Sequence, residues 1–161
     1  MALRSMRTGD LPQLLRFERS YIQTIEPHSL AVWTAAIDRN LQLWIDCLPT
    51  SGVITDEDGA VRAMALWQVQ PPLATLVAVH VVPEQRRRGL GGELVGSFLA
   101  AAEASGAERA ALGVHEANPG AERRDLEHGF LPVGQDGPYR LYEKHLQKGG
   151  SRHGPVGRAA G

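Results

Sequence analysis

The chain has 161 residues, a formal net charge of −1 and one cysteine, Cys47. That length suits one compact domain rather than two, and the near balance of charges argues against a general binder of nucleic acid or membrane surfaces. A single cysteine excludes an internal disulfide and a multi-cysteine metal site, and the lack of an apolar run of roughly 20 residues predicts a cytoplasmic protein without a membrane span.

The amino-terminal third predicts one strand and two helices. Residues 2–6 favour a short strand, and the segment TGDLPQLLRFERSYIQTI then places its apolar residues on one helical face behind a cap at Asp10. In SLAVWTAAIDRNLQLWIDCL, apolar residues recur at intervals of three and four behind a cap at Ser29, which predicts a second helix that ends before Pro49. A strand followed by two helices is therefore expected before residue 50.

The middle of the chain predicts three strands. SGVITDEDGAVRAMALWQVQ contains two β-rich arms around Asp58-Gly59, which is a strong hairpin signal. After Pro71 and Pro72, the continuous β-branched run LATLVAVHVV is typical of a strand that is covered on both faces.

The remaining elements alternate between helices and strands. Apolar residues at intervals of four from Leu90 predict a third helix that ends at Ser105-Gly106. The strand RAALGVHE, the short polar helix PGAERRDLEH and two strands around a Gln-Asp-Gly-Pro turn follow. The resulting order β-α-α-β-β-β-α-β-α-β-β predicts an α/β fold with a mixed sheet flanked by helices. We expect a single domain over residues 1–146 and a disordered, glycine-rich tail over 147–161.

The segment VVPEQRRRGLGGEL, residues 81–94, carries the clearest functional signal. It runs from a strand through a glycine-rich turn into a helix, whose start exposes unpaired backbone N–H groups and the positive end of the helix dipole. Gly89, Gly91 and Gly92 have no side chain to hold an anion away, and three arginines add charged donors. The pattern predicts a phosphate-binding turn, although a solvated basic loop has the same composition.

Two other phosphate loops fit this segment less well. A Walker loop needs Gly-Lys-Ser/Thr, but Gly92 is followed by Glu93. A dinucleotide fingerprint needs a third glycine where Leu94 stands.

Instead, the segment resembles the signature of the GNAT superfamily of acyl-CoA-dependent N-acyltransferases, Arg/Gln-x-x-Gly-x-Gly/Ala. The matching residues are Arg86, Gly89 and Gly91, and Val81-x-Pro83 precedes them. A second stretch, NPGAERRDLEHGF, resembles the family's Asn-x-x-Ala block that ends in Gly-Phe. The resemblance spans about residues 1–146. It implies a mixed, mostly antiparallel sheet of about seven strands, flanked by about four helices and splayed between the fourth and fifth strands.

The resemblance also implies a site for acetyl-CoA or coenzyme A. Backbone N–H groups of the turn would hold the pyrophosphate, the backbone of Val81 would pair with the pantetheine arm, and Asn118 would contact that arm. The N–H of Val79 would face the acetyl carbonyl oxygen as the oxyanion donor. The residues of the turn that this assigns to the pyrophosphate are Arg86, Arg87, Arg88, Gly89, Gly91 and Gly92.

The catalytic acid and base are less clear. The family often has a tyrosine proton donor where this chain has Asp125, for which we expect a solvated helix position. The proton donor is then water, another hydroxyl or a protonated Asp125, a state that burial would have to favour. Alternation along the fourth strand places Thr75 and Val77 on the face of Val79, where neither can accept a proton, and predicts His80 to be packed beneath the site. His115 is our first candidate for the base. The other candidate is Glu26, in the turn between the first two helices. Tyr21 and three tryptophans could line the acceptor pocket; the tryptophans are Trp33, Trp44 and Trp67.

The resemblance implies an N-acetyltransferase that moves an acetyl group from acetyl-CoA to a primary amine, in a small molecule or a peptide, by direct attack in a ternary complex. The alternative is a non-catalytic acyl-CoA-binding sensor or partner-binding module, which the missing tyrosine favours. We expect no nucleic-acid partner, because no aromatic platform accompanies the arginines. A homodimer is possible, and the acidic residues of the probable rim loops hint at a small cationic amine.

Overall fold

The computed structural model describes residues 1–147, which form a seven-stranded sheet and five α-helices. The strands are β1 (Ala2–Ser5), β2 (Gly52–Thr55), β3 (Val61–Gln70), β4 (Leu73–Val81), β5 (Arg109–His115), β6 (Leu131–Asp136) and β7 (Tyr139–His145). The helices are α1 (Leu11–Ile25), α2 (Leu30–Ala35), α3 (Ile37–Cys47), α4 (Leu90–Ala104) and α5 (Pro119–Glu127). The predicted tail, apart from residue 147, lies outside the described residues.

The strand order is β1-β2-β3-β4-β5-β7-β6, and every pair is antiparallel except β4 with β5. This confirms the predicted mixed, mostly antiparallel sheet, including the hairpin between β2 and β3. None of the helices within residues 1–147 has the length and apolarity needed to cross a membrane.

The second predicted helix is two helices, α2 and α3. At Ala36 the backbone turns to φ −96° and ψ 10°, and its N–H bonds to the carbonyls of both Val32 and Trp33 at 3.1 Å. Asp10 and Ser29 occupy the predicted N-cap positions of α1 and α2, but neither side chain accepts a capping bond from its helix. The carboxylate of Asp10 instead accepts bonds from the guanidinium of Arg4 and the N–H of Arg7.

The sheet separates two apolar cores. One lies under α4 and contains Trp67, Leu94 and Phe98; the other lies under α1 and α3 and contains Leu14 and Trp44. Burying each of these side chains stabilises the fold by roughly 1.5–3 kcal/mol.

A β-bulge in β4 changes which side chains share a face. Leu66 pairs with Ala78 and Trp67 pairs with Leu76, so Val77 is an extra residue. As a result Leu76 and Val79 both pack against the core under α4, whereas Val77 packs against the core under α1. The simple alternation that placed Thr75 and Val77 on the face of Val79 is therefore wrong.

The strands β4 and β5 pair only at their beginnings. Leu73–Thr75 pairs with Arg109–Ala111, and beyond this point β4 has no register with β5, which stays paired with β7 along its whole length. The carboxyl-terminal half of β4 therefore borders an open space instead of a neighbouring strand.

Candidate active site

The free edge of β4 presents backbone groups to the open space. Val82 donates its N–H to Arg62 of β3 at 3.0 Å. Because bonded and non-bonded pairs alternate in an antiparallel ladder, the N–H and C=O groups of Val79 and Val81 point away from β3 and toward the gap. This edge can accept an extended chain as an added strand.

The turn after β4 leads into the start of α4. Arg87 and Gly89 both have positive φ, 65° and 84°. The first backbone bond of the helix runs from the N–H of Glu93 to the carbonyl of Gly89 at 2.9 Å. The N–H groups of Leu90, Gly91 and Gly92 therefore project from the positive end of the helix, as an anion site requires.

An open cleft of about 1240 Å³ follows this turn and the edge of β4. All the predicted cofactor residues except Arg88 line it: Val81, Arg86, Arg87, Gly89, Gly91, Gly92 and Asn118. The side-chain oxygen of Asn118 accepts the N–H of Ala121 at 3.4 Å, which caps α5 and fixes the wall of the cleft.

A second cavity of about 280 Å³ continues from the cleft, between the splayed strands and the helices α1 to α3. The two spaces share six lining residues: Tyr21, Val79, His80, Asn118, Ala121 and Arg124. A molecule in the cleft could therefore place its end against a second molecule in the cavity.

His80 lies in both spaces rather than packed beneath them. The bulge turns its side chain toward α1, where its Nε2 lies 2.5 Å from the Oε2 of Glu18 and its ring stacks on Phe17 at 5.3 Å. A carboxylate can only accept, so Nε2 carries the proton and Nδ1 of the neutral ring keeps a free lone pair. Glu18 and His80 thus have the arrangement of a base held by a carboxylate.

His115 also lines the cavity, with 7% of its surface exposed, but its hydrogen bond has the opposite consequence. Its Nδ1 accepts the N–H of Ala117 at 3.0 Å, so the proton of the neutral ring sits on Nε2. That atom is buried and has no partner among the described residues, and the ring packs edge-on against Tyr139 at 5.1 Å. His115 is arranged as a donor.

Glu26 is bonded to Tyr139, a residue that sequence reasoning did not single out. The hydroxyl of Tyr139 donates to the carboxylate of Glu26 and lies 3.4 Å from the hydroxyl of Tyr21. Burial, together with the bond to Glu26, raises the pKa of Tyr139 far above its usual value, and burial also raises that of Tyr21. Both phenols stay neutral. The only signal for Tyr139 in the sequence was its place directly after the Gln-Asp-Gly-Pro turn, whereas its pairing with His115 follows from the register of β5 and β7.

Asp125 is buried, with 1% of its surface exposed, so the expected solvated position is wrong. Its carboxylate accepts two bonds from the guanidinium of Arg124, at 2.9 and 3.2 Å. Arg124 in turn lies beside the start of α4, since a Cβ on Gly91 would be 3.5 Å from its Cδ and Nη1. A paired carboxylate of this kind accepts hydrogen bonds and does not donate a proton.

Comparison with known proteins places these features in a family. A family model described as the acetyltransferase (GNAT) family matches residues 15–130. No curated protein matches the sequence.

Three solved structures illustrate the likeness of fold. PaiA N-acetyltransferase from Thermoplasma acidophilum, in complex with coenzyme A, has a TM-score of 0.76 at 16% identity over 90% of this chain and 98% of that chain. Naa20 from Chaetomium thermophilum, in complex with a bisubstrate analogue, gives 0.68 at 21% over 94% and 90%. Ard1 from Thermoplasma volcanium gives 0.72 at 18% over 91% and 97%.

Proposed function

Because the chain belongs to the GNAT family of acetyltransferases, we propose that residues 1–146 form an N-acetyltransferase domain that moves an acetyl group from acetyl-CoA to a primary amine by direct attack in a ternary complex. The observation that carries this proposal is the separation of β4 from β5, which opens the edge of β4 beside the helix start of α4.

The residues of the cleft fit coenzyme A. The free N–H groups at the start of α4, with Arg86 and Arg87, suit a pyrophosphate. The backbone of Val81 borders the gap, and its C=O accepts a hydrogen bond from the Nε of Arg86 at 3.2 Å. Exchange of that bond for one to an amide of the pantetheine arm would let the arm lie along β4 as an added strand. Acetyl-CoA supplies an activated acyl thioester when bound.

The N–H of Val79 is our oxyanion donor. It points into the gap two residues before Val81, on the edge that leads from the cleft to the cavity. A fixed backbone donor at a water-poor site stabilises the negative charge that develops on the carbonyl oxygen, and such donors contribute about 10²–10³-fold to kcat.

His80 is our proton acceptor. An alkyl amine has a free pKa of about 10 and is almost fully protonated at neutral pH, so attack requires that its nitrogen lose a proton. The free Nδ1 of His80 takes that proton, and the Glu18 carboxylate stabilises the resulting imidazolium. The Nδ1 of His115 is occupied, so we assign His115 as a hydrogen-bond donor through Nε2 and not as the base. We likewise assign Glu26 to holding the hydroxyl of Tyr139 and not to acting as the base.

The sulfur that leaves carries the electron pair of the broken C–S bond. Asp125 cannot protonate it, and we assign the stabilisation of this negative charge to Arg124, the cation that lines both spaces. Asp125 acts as a positioning residue, because its two hydrogen bonds fix the guanidinium of Arg124.

The test combines binding and turnover. Isothermal titration with acetyl-CoA and coenzyme A measures their binding to the cleft. Thiol release over a panel of primary amines measures acetyl transfer. Cys47 does not disturb the thiol assay, because burial, with the charge of Asp46, raises its pKa to about 11. Binding followed by release supports the transferase.

Two results would contradict the proposal. Binding without release on any amine favours the alternative, a non-catalytic acyl-CoA sensor. The buried Asp125, paired with Arg124 at the position where the family often has a tyrosine, supports this alternative. A failure to bind either compound would also exclude the site that we assign to the start of α4.

A further inference from the structure

The wall of the 280 Å³ cavity opposite the splayed strands contains a group of apolar and aromatic side chains. The helices α1 to α3 contribute Ile22, Trp33, Leu43 and Trp44 to it. Trp44 is buried and Trp33 is half-buried. Aromatic faces of this kind gain most from an apolar partner, and they also attract an ammonium group.

The same helices, α1 to α3, also contribute the polar side chains Glu18, Tyr21 and Asn40, and the other polar groups of the cavity come from β4, β5, α5 and β7. Glu18 is bonded to His80 and Asp125 to Arg124, so both acidic side chains already have cationic or proton-donating partners. Arg124 is already paired with Asp125 and therefore offers little to the carboxylate of an acidic acceptor, whereas an acceptor with an apolar body would face the tryptophans. The charge pattern disfavours acidic acceptors.

A strap closes one side of the cavity. Tyr139 of β7 is bonded to Glu26, just after the end of α1, and its hydroxyl lies 3.4 Å from that of Tyr21 within α1. These contacts join α1 to β7 across the space between β4 and β5. An extended polypeptide that passed between α1 and β7 would have to break them.

The volume suits an acceptor of this size. A cavity of about 150 Å³ accommodates benzene, so about 280 Å³ has room for one ring and a short chain. Val79 and Arg124 line both this cavity and the cleft for the cofactor, so the reactive ends of the acceptor and the cofactor would meet beside them.

From the aromatic wall, the strap and the volume, we infer that the acceptor is a small primary amine with an apolar, ring-sized body, and that the Glu26–Tyr139–Tyr21 strap excludes polypeptide chains. This inference rests on the proposed transferase function and names the class of amine that the same site takes.

The experiment compares acceptors of different shape with the full chain and acetyl-CoA. 2-Phenylethylamine represents the inferred class, ethylamine has no body, and an unblocked tetrapeptide represents a polypeptide amino terminus. We expect kcat/KM for 2-phenylethylamine to exceed that for the other two by at least about tenfold, since burying a ring has a large effect on binding.

Substitutions then test the wall and the strap separately. Trp33→Ala should lower kcat/KM for 2-phenylethylamine at least about fivefold more than that for ethylamine, because only the first fills the aromatic wall. Tyr139→Phe keeps the ring but removes both hydroxyl contacts, and it should raise the rate with the tetrapeptide relative to 2-phenylethylamine. Glu26→Ala opens the same strap from the other side.

Tyr142→Phe is the matched control. Tyr142 lies on the same strand and donates its hydroxyl to a carboxylate, that of Glu122, but it lines neither space. Its substitution should leave the ratio of kcat/KM for the tetrapeptide to kcat/KM for 2-phenylethylamine unchanged.

The outcomes separate this inference from the proposed function. If the wild-type chain acetylates the tetrapeptide as efficiently as 2-phenylethylamine, or if the ratio responds equally to Tyr139→Phe and Tyr142→Phe, the inference is wrong and the transferase stands. If acetyl-CoA binds but no amine releases thiol, the proposed function fails and the inference falls with it.

Discussion

Glu18 of α1 and His80 of β4 form a hydrogen bond of 2.5 Å between Oε2 and Nε2, with 19% and 9% of their side-chain surfaces exposed. The pair exists because the bulge at Val77 turns the following residues of β4 over, so that His80 faces α1. It brings a proton acceptor next to Val79, whose N–H points into the gap between the strands. Our proposal thus assigns acid–base chemistry and oxyanion stabilisation to two consecutive residues of one strand.

Substitution of His80 by Gln is expected to lower kcat by about 10²–10⁴-fold, because the side chain can still bond to Glu18 but no longer accepts a proton. The KM for acetyl-CoA should change little. Steady-state thiol release, with isothermal titration of coenzyme A as a check that the cleft is intact, measures both quantities. His115→Gln is the comparison variant, since its Nδ1 is occupied by Ala117. A larger loss of kcat in His115→Gln than in His80→Gln would reverse our assignment of the base.

Sequence patterns predicted those parts of the molecule that depend on local chemistry. The order of strands and helices followed from apolar periodicity, and the start of α4 followed from Gly89 and its neighbours, because a strand, a glycine turn and a helix define a receptor for anions without reference to the rest of the chain. The hairpin at Asp58-Gly59 was predicted for the same reason.

The catalytic side of the site could not be predicted in this way. A single bulged residue, Val77, reverses the alternation along β4, and no local signal marks it. The burial of Asp125 depends on the guanidinium of Arg124 beside it, and the contact of Tyr139 with Glu26 joins residues that are 113 positions apart. Such contacts are set by the packing of distant elements, which a one-dimensional pattern does not encode.

Asp125→Asn should affect stability more than chemistry. A charge-assisted hydrogen bond contributes about 1.5–3 kcal/mol, and the amide keeps at most one of the two bonds that Arg124 makes at 2.9 and 3.2 Å. We expect urea unfolding to show a loss of this order, with kcat reduced less than tenfold. Glu143→Gln alters the more exposed ion pair between Glu143 and Arg109, so it should lower the free energy of unfolding by less. A loss of kcat by 10²-fold or more without loss of stability would mean that Asp125 acts as a general acid.

The stability of the fold should depend on Asp10 in acid. The hydrogen bonds from the Arg4 guanidinium, together with that from the Arg7 N–H, hold the pKa of this carboxyl below its usual value of 3.8, against the opposing effect of burial. A lowered pKa means that the contribution is fully present above about pH 4 and is lost as the pH falls through the folded-state value. Denaturant unfolding between pH 2 and 7 should therefore show a steeper acid loss in the wild type than in Asp10→Asn. Equal slopes would exclude this linkage.

Two glycines of the same helix region should respond in opposite ways to alanine. Gly89 has φ +84° at the start of α4, a conformation that costs an alanine roughly 1–2 kcal/mol. Because this turn aims the N–H groups at the cleft, we expect Gly89→Ala to weaken coenzyme A binding by up to about tenfold or to lower the melting temperature. Gly96 lies inside α4 with open space around its Cβ position, so Gly96→Ala should stabilise the helix by roughly 0.5–1 kcal/mol and leave coenzyme A binding unchanged. Titration calorimetry and thermal unfolding of both variants measure the contrast. Unchanged binding and stability in Gly89→Ala would show that the turn does not require its left-handed backbone.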